Sequence, residues 1–486
     1  MSTAAGLLAD LPRLVAPARP KPEVGIVHLG IGAFFRAHGA LYVAEAMAAS
    51  GGDWGIVGVS LVRPTMRDLL APQGFAYTAV EMGPEGESTQ VVDVVQDVLV
   101  APEDPETVLR LMADPQVRIV TLTVTEKGYC HEPATGALNT QHPDILHDLA
   151  HPAAPRSAPG YLVRALARRM AAGLRPFTVL CCDNLPANGR VVREVVLDLA
   201  RLIDPGLAAW IEREGAFPST MVDRIVPATQ GADVERLAAR TGVLDLAPVL
   251  HEPFRQWVVE EAFVDGARPD LAAAGAELVA DVEPFELMKL RCLNGTHSAL
   301  AYLGYLAGHE TIADTVADPA FASFMRSLLA TEIIPGLLPP PGVDLAAYGG
   351  RLARRFANPA IRHRTWQIAM DGSQKLPQRL LGTVEANLAA GRPIDGLALA
   401  VAAWMRYVGG VGLDGAPIDV RDPLAGRLRA LSEGAGPDGK VAALLSVGAV
   451  FSPGLAKDTA FRAQLVAATR ALEGRGARAA ASEVTR

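Results

Sequence analysis

At 486 residues the chain is too long for one ordinary domain and is read as two domains with large cores. Half of its residues are hydrophobic and 20% are charged, a globular balance that argues against disorder. A formal net charge of -8 with no long Lys/Arg run argues against nucleic acid as the main partner and points to a small molecule.

Four cysteines, Cys130, Cys181, Cys182 and Cys292, show no CxxC spacing and are too few for a disulfide framework, so a reducing cytoplasm is expected. Residues 1–24 lack a basic segment followed by a long apolar core, and Asp10 interrupts their only hydrophobic stretch; no leader is expected. The longest apolar runs elsewhere, 396–405 and 441–451, fall short of the roughly 20 residues of a membrane helix and are read as buried core helices. No membrane partner is expected.

In chain order, Val24-Gly25-Ile26-Val27-His28-Leu29 is a short β-prone run that enters Gly30-Ile31-Gly32-Ala33-Phe34-Phe35-Arg36, and residues 37–49 read as a helix. Strand, glycine turn and helix stand in the order that holds a pyrophosphate on a helix N-terminus. The third glycine of GxGxxG is missing, because Phe35 stands there, so Gly30 and Gly32 alone are a weak sign. Arg36 adds a guanidinium just past the turn, able to pair with a phosphate. A second strand over 54–61 follows at βαβ spacing. Its end carries Ser60, Leu61, Val62 and Arg63 where an acid would normally hold the adenosine ribose. Exclusive use of NAD is therefore not secured, and Arg63 either meets a 2′-phosphate or is an ordinary surface arginine.

Apolar runs at 117–125 and 178–182, separated by helical stretches such as 161–172, imply a parallel sheet covered on both faces. Such sheets bind ligands at the carboxyl ends of their strands. Two polar groups fall there: Thr125-Glu126-Lys127-Gly128-Tyr129 and Cys182-Asp183-Asn184-Leu185-Pro186. Asp and Asn at strand ends also form turns and cap helices, so function is put first only for Asn184 and Lys127. Residues 219–227 and 252–257 read as further sheet elements and 277–282 as a last strand. After Pro284 long helices dominate, as at 317–331, 378–390 and 397–407, with the prolines of 339–341 as a rigid connector. The expected organisation is a Rossmann-like α/β domain with a mainly parallel sheet over 1–283, binding a dinucleotide, and a mostly helical substrate and catalytic domain over 284–486.

The seam between them carries the densest chemistry. Pro284 suits the first turn of a helix, and Glu286, Lys289, Leu293 and His297 fall on one side of it at about 100° per residue, with Asn294 at the margin. This stripe is either solvated or a polar wall facing a cleft. The short, rigid Asn294 and His297 between apolar flanks favour the wall. A second cluster, His142, Asp144, His147, Asp148 and His151, contains a His-x3-His pair that could bind zinc on one helical face. Pro143 and Pro152 bracket it, a surface helix accounts for it, and no metal is expected.

Together these residues resemble the polyol-specific long-chain dehydrogenase/reductase family, also called the mannitol dehydrogenase family, over nearly the whole chain. The markers are Gly30-x-Gly32-x-Phe34-x-Arg36-Ala37-His38, Thr123-x-Thr125-Glu126-x-Gly128-Tyr129, Cys182-Asp183-Asn184, Met221-Val222-Asp223-Arg224 and Lys289-x4-Asn294-x2-His297. The resemblance implies a zinc-independent, NAD(P)-dependent enzyme with its active site between the two domains. It implies Lys289 as the general base, whose amine must be neutral to act, and Asn184 with Asn294 as amides that stabilise the developing alkoxide. His297 resembles a residue positioning substrate or lysine, and Glu286 the gate of a proton path. Gly30, Gly32, Phe34, Arg36 and Arg63 fall to the cofactor, and Asp223 and Lys375 to the substrate.

Within the family, residues 362–377 resemble the branch that interconverts D-mannonate and D-fructuronate, since Gln367 stands where the polyol enzymes carry arginine. Lys127 points the same way, because a lysine beside the site can pair with a substrate carboxylate, although a surface lysine is the plain alternative. Oxidation of mannitol or a related polyol is the second reading. A nucleotide-binding sensor without catalysis is the third, and it would have no use for Lys289, Asn294 and His297.

Overall fold

In the computed structural model, described over residues 11–132 and 135–485, the chain gathers into two compact units, one ending at Glu283 and the other beginning at Pro284. The absence of a leader was expected partly from residues 1–10, which lie outside the described residues. Among the described residues no helix is long and apolar enough to cross a membrane.

The first unit contains strands β1 (Val24–Leu29), β2 (Gly55–Ser60), β3 (Tyr77–Gly83), β4 (Gly86–Val92), β5 (Val95–Val100), β6 (Ile119–Leu122), β7 (Thr178–Cys181), β8 (Thr220–Asp223), β9 (Val249–His251), β10 (Gln256–Glu260) and β11 (Glu277–Val279). Five of them form a parallel sheet in the order β5-β2-β1-β6-β7. Leu29 stands opposite Val59 and Leu122, and Leu122 opposite Cys181, so the carboxyl ends of the three central strands and β7 finish level. Alternation sends neighbours into different cores: Val27 and Leu29 pack with Val120, Tyr161 and Leu199, whereas Ile26 packs with Tyr42, Ile56 and Trp257. Both faces are therefore buried, as an all-parallel sheet requires. Covering helices include Gly39–Ser50, Pro105–Ala113, Ala158–Ala171 and Asn188–Ile203.

The expected helix over 37–49 begins earlier and breaks once. A five-residue turn, Ala33–Ala37, is followed by His38 at φ −132° and ψ −86°, and Gly39–Ser50 then starts anew. Residues 77–100 hold three strands that sequence reading passed over. The β3–β4 hairpin is hard to see because β4 is a mostly exposed, polar edge strand. It lies in a small sheet of order β4-β3-β9, and another joins β11, β10 and β8.

The second unit is helical. At its start, Glu283–Met288 is an α-helix, Lys289–Gly295 widens into a π-helical turn, and Thr296–Leu306 resumes the α-helix. Further π-turns occur at Leu328–Ile333 and Pro377–Leu381, the latter opening on a proline that has no N–H to give. The helices expected over 317–331 and 378–390 thus run into π-turns, leaving α-helix at Pro319–Ser327 and Gly382–Ala389, whereas the one expected over 397–407 is present and slightly longer, as Asp395–Val408. The apolar run 441–451 ends its helix at Leu445. At the start of the almost wholly buried Asp395–Val408 helix, Glu332 accepts from Gly396 N at 2.7 Å and Leu397 N at 2.9 Å. A buried carboxylate thus caps a helix from another segment.

The π-turn after Met288 rests on Gly295. A Cβ there would lie 2.6 Å from the Arg379 carbonyl oxygen, inside the Pro377–Leu381 turn, so the missing side chain permits two backbones to touch. Alanine ordinarily gains about 1 kcal/mol over glycine in a helix, but overpacking costs about 1–3 kcal/mol. Gly295→Ala is expected to lower stability in urea unfolding; a stabilised variant would show that the contact is not tight.

Candidate active site

The glycine turn after β1 is shaped by one close approach. Gly30 has φ +97°, and a Cβ on it would fall 2.1 Å from the Thr123 carbonyl oxygen, so glycine is required. Gly32 differs: the nearest atom to its Cβ position is Gly30 O at 3.8 Å, and the residue is exposed. Its backbone is bare on the outer side, which is the fit a pyrophosphate needs. Phe35, in place of the third glycine, is buried and stacks on His28, ring centroids 3.3 Å apart. Phe34 stacks on His38 at 5.0 Å.

Arg36 requires correction as a phosphate ligand. Its guanidinium is buried, lies 5.3 Å from the centre of the Tyr77 ring and donates to Ala247 O at 2.6 Å. It braces the segment after the turn from within, as does buried Arg224, which donates to Ala37 O at 2.7 Å. At the end of β2 Arg63 is exposed and its carbonyl accepts from Ser60 Oγ, which fits a surface arginine as well as a phosphate ligand.

Beyond β6 and β7, Asp183 gathers the strand ends. Its carboxylate accepts from Val124 N at 2.8 Å, Thr125 N at 3.0 Å and Tyr129 Oη at 2.6 Å. Burial raises its pKa, and these three donors oppose the shift. The next residue, Asn184, is exposed, as is Lys127 on the Glu126–Tyr129 turn. Asp183 therefore anchors both candidate segments at one sheet edge. Asp223 is buried at the end of β8, opposite Gln256.

In the second unit Lys289, Asn294 and His297 are 8%, 7% and 7% exposed, and Glu286 is half-buried one turn earlier. The stripe is not solvated. The π-turn also changes its facing. At about 100° per residue Lys289 and Asn294 would diverge by about 140°, whereas i to i+5 bonding brings them toward one side. His297 packs against Phe356 at 5.1 Å and edge-on against His363 at 4.6 Å. Burial above all, then nearby His363, Arg379, Arg355 and Lys375, pushes the His297 pKa well down. Burial, then Lys375 and Arg379, pushes that of His363 down to about 4. Both rings are neutral at pH 7, and among the described residues neither His297 Nε2 nor His363 Nδ1 meets a hydrogen-bond partner. Buried polar atoms in this state suit a substrate hydroxyl. His363 was given no role from sequence, since nothing in its spacing ties it to His297. Lys375 Nζ donates to Met370 O at 2.6 Å, and Gln367 is exposed on the short Thr365–Ala369 helix.

The His-x3-His pair is engaged in packing. His147 and His151 stack at 4.3 Å, while Asp148 is buried and accepts from Arg156 N and Ser157 N. His142 and Asp144 lie instead near Cys130, ligand atoms of the three within 4.8 Å of one another.

Known proteins agree with this architecture. Residues 24–273 match the mannitol dehydrogenase Rossmann domain and residues 281–473 the mannitol dehydrogenase C-terminal domain. The chain is 49% identical to D-mannonate oxidoreductase of Escherichia coli, over 94% of each chain. It is 40% identical to mannitol 2-dehydrogenase of Aspergillus fumigatus, over 96% of this chain and 94% of that one. Among solved structures it resembles Pseudomonas fluorescens mannitol 2-dehydrogenase, in ternary complex with NAD and D-mannitol, with a TM-score of 0.86, 36% identity and 98% of each chain covered. The chain belongs to the mannitol dehydrogenase family and is an oxidoreductase.

Two predictions follow from the first unit. Gly30→Ala should lower stability by about 2–4 kcal/mol through strain and overpacking, and Gly32→Ala by much less; equal urea midpoints would contradict the close approach. Burial holds His28 and His38 down to about 3, against 6.5 when unfolded. Between those values only the unfolded chain binds the protons. Stability is therefore whole above pH 6.5 and falls on acidification by about 1.4 kcal/mol per pH unit for each ring. Urea midpoints at pH 7.5, 6 and 5 should decline, and a flat profile would contradict it.

Proposed function

We propose that this enzyme interconverts D-mannonate and D-fructuronate with NAD, using Lys289 as general base and no zinc. The observation that supports it most is the π-turn, on which a buried amine and a buried amide share a side beside a neutral imidazole. Gly30, Gly32, Phe34 and the end of β2 with Arg63 would hold the cofactor, whose nicotinamide supplies the hydride acceptor. In the oxidation direction the carbinol hydrogen departs as hydride and the hydroxyl proton passes to Lys289 Nζ, leaving a ketone. Burial is the condition under which an amine gives up its charge to serve so. The amide N–H groups of Asn294 donate to the oxygen as negative charge gathers there, and Asn184 is the amide that the first unit would contribute to the same task. His297 positions the substrate hydroxyl or the lysine. Glu286, a turn before Lys289, passes the proton onward to solvent.

The sugar-acid reading is supported by the similarity to D-mannonate oxidoreductase, by Gln367, and by Lys127, exposed where a carboxylate can reach it. Lys375 and Asp223 complete the substrate set. Oxidation of mannitol or a related polyol is the second reading, supported by the similarity to a mannitol-bound structure. Four buried, reduced cysteines fit a cytoplasmic setting.

Initial rates of nicotinamide reduction with D-mannonate and with mannitol, each with NAD and NADP, decide between them. Mannonate with NAD should be preferred, chelation should leave the rate unchanged, and Lys289→Ala should lower kcat by about 10²–10⁴-fold. Efficient turnover of mannitol with mannonate ignored would sink the sugar-acid reading. Full activity in Lys289→Ala would remove the base. Tight cofactor binding without turnover of any sugar acid or polyol would favour a sensor.

A further inference from the structure

His28 is wholly buried in the middle strand of the parallel sheet, beside Thr121 of β6. Its Nδ1 lies 2.8 Å from Thr121 Oγ1, and its Nε2 lies 3.0 Å from both Gly30 O and Thr123 Oγ1. A carbonyl only accepts, so the ring proton sits on Nε2. The neutral ring then accepts at Nδ1, and Thr121 donates there. The tautomer is thus set by its partners. Thr123 Oγ1 donates to the same Gly30 carbonyl at 2.7 Å, and Gly32 N approaches it at 2.6 Å. Phe35 closes the other side of the ring by stacking on it.

These donors hold the Gly30 carbonyl inward. Because the peptide is planar and trans, the Ile31 N–H on its far side is turned the opposite way. A peptide flipped here would instead present a carbonyl dipole to an approaching anion.

We propose that His28 is a positioning residue for the cofactor: with Thr121 and Thr123 it locks the Gly30–Ile31 peptide so that the glycine turn offers N–H groups, and not a carbonyl, to the pyrophosphate. This rests on the reading that the turn holds NAD. It gives work to a histidine that touches neither substrate nor the reacting carbon.

The test is NADH binding, followed by fluorescence, in His28→Leu, His28→Gln and Thr121→Val, with urea midpoints measured on the same samples. Losing the lock should raise the Kd for NADH in His28→Leu by about tenfold or more. The loss should fall on KM for the cofactor and not on kcat. Gln can donate from a position near Nε2, so His28→Gln should recover most of the affinity whatever its stability. Thr121→Val, which only frees the tautomer, should weaken binding by a smaller factor and serves if His28→Leu fails to fold. Wild-type Kd in a folded His28→Leu or Thr121→Val protein would overturn the proposal. So would affinity that merely tracks stability across the series, with no recovery in His28→Gln. Failure of the wild-type protein to bind NADH or NADPH would overturn the cofactor reading itself, a separate result.

Discussion

Where a parallel sheet ends, its last backbone groups lose their neighbours, and a buried N–H or C=O must find a partner elsewhere. In the first unit three side chains answer that demand. Asp183 collects the amides of Val124 and Thr125 with the Tyr129 hydroxyl, and His28 with Thr123 collects the Gly30 carbonyl. The loops at this edge are consequently tied to one another through the strands below them. Loops of this kind place chemistry with the accuracy of the sheet and not of the surface. Asn184 inherits its position from Asp183, one residue earlier, and Lys127 from a turn whose preceding residue, Thr125, gives its amide to the same carboxylate.

The second unit solves a different problem, that of bringing a buried amine and a buried amide together along one helix. Five residues separate Lys289 from Asn294, an interval that a regular α-helix spreads apart. Widening one turn corrects this without breaking the rod, and α-helix resumes at Thr296. The widening depends on Gly295, which admits the Arg379 carbonyl where any side chain would keep it off. The facing of Lys289 and Asn294 and the packing of the helix therefore share one backbone irregularity. Such irregularities are frequent at functional sites because a regular element seldom presents reactive groups at the needed interval.

The fold class was legible because its signals are local: continuous apolar strands, the glycine turn after β1, and a change to helical periodicity in the last two-fifths. The Lys289 run could also be picked out, since an amine, an amide and an imidazole between apolar flanks are unusual company. The π-turn could not, because periodicity is read by assuming the regular helix that this segment departs from. Arg36 misled for a related reason. Sequence places its Cα beside the phosphate turn, but the direction of its side chain depends on Ala247 and Tyr77, distant in the chain. His28 was read only as part of a strand. Its meaning lies in Thr121 and Thr123, more than ninety residues on, brought alongside by strand pairing. His363 stayed invisible for the same reason.

Burial of the cysteines has a consequence for durability. Cys130 and Cys292 are both pushed up to about 12 by burial, and Cys182 well above the usual range. At neutral pH only about one molecule in 10⁵ carries thiolate at a thiol of this kind, and thiolate is the form that peroxides and disulfides attack. A protein that spends its life exchanging electron pairs with a nicotinamide is thus itself insulated from the redox state of its surroundings. Its activity should follow the ratio of oxidised to reduced cofactor and stay indifferent to the thiol balance of the cell.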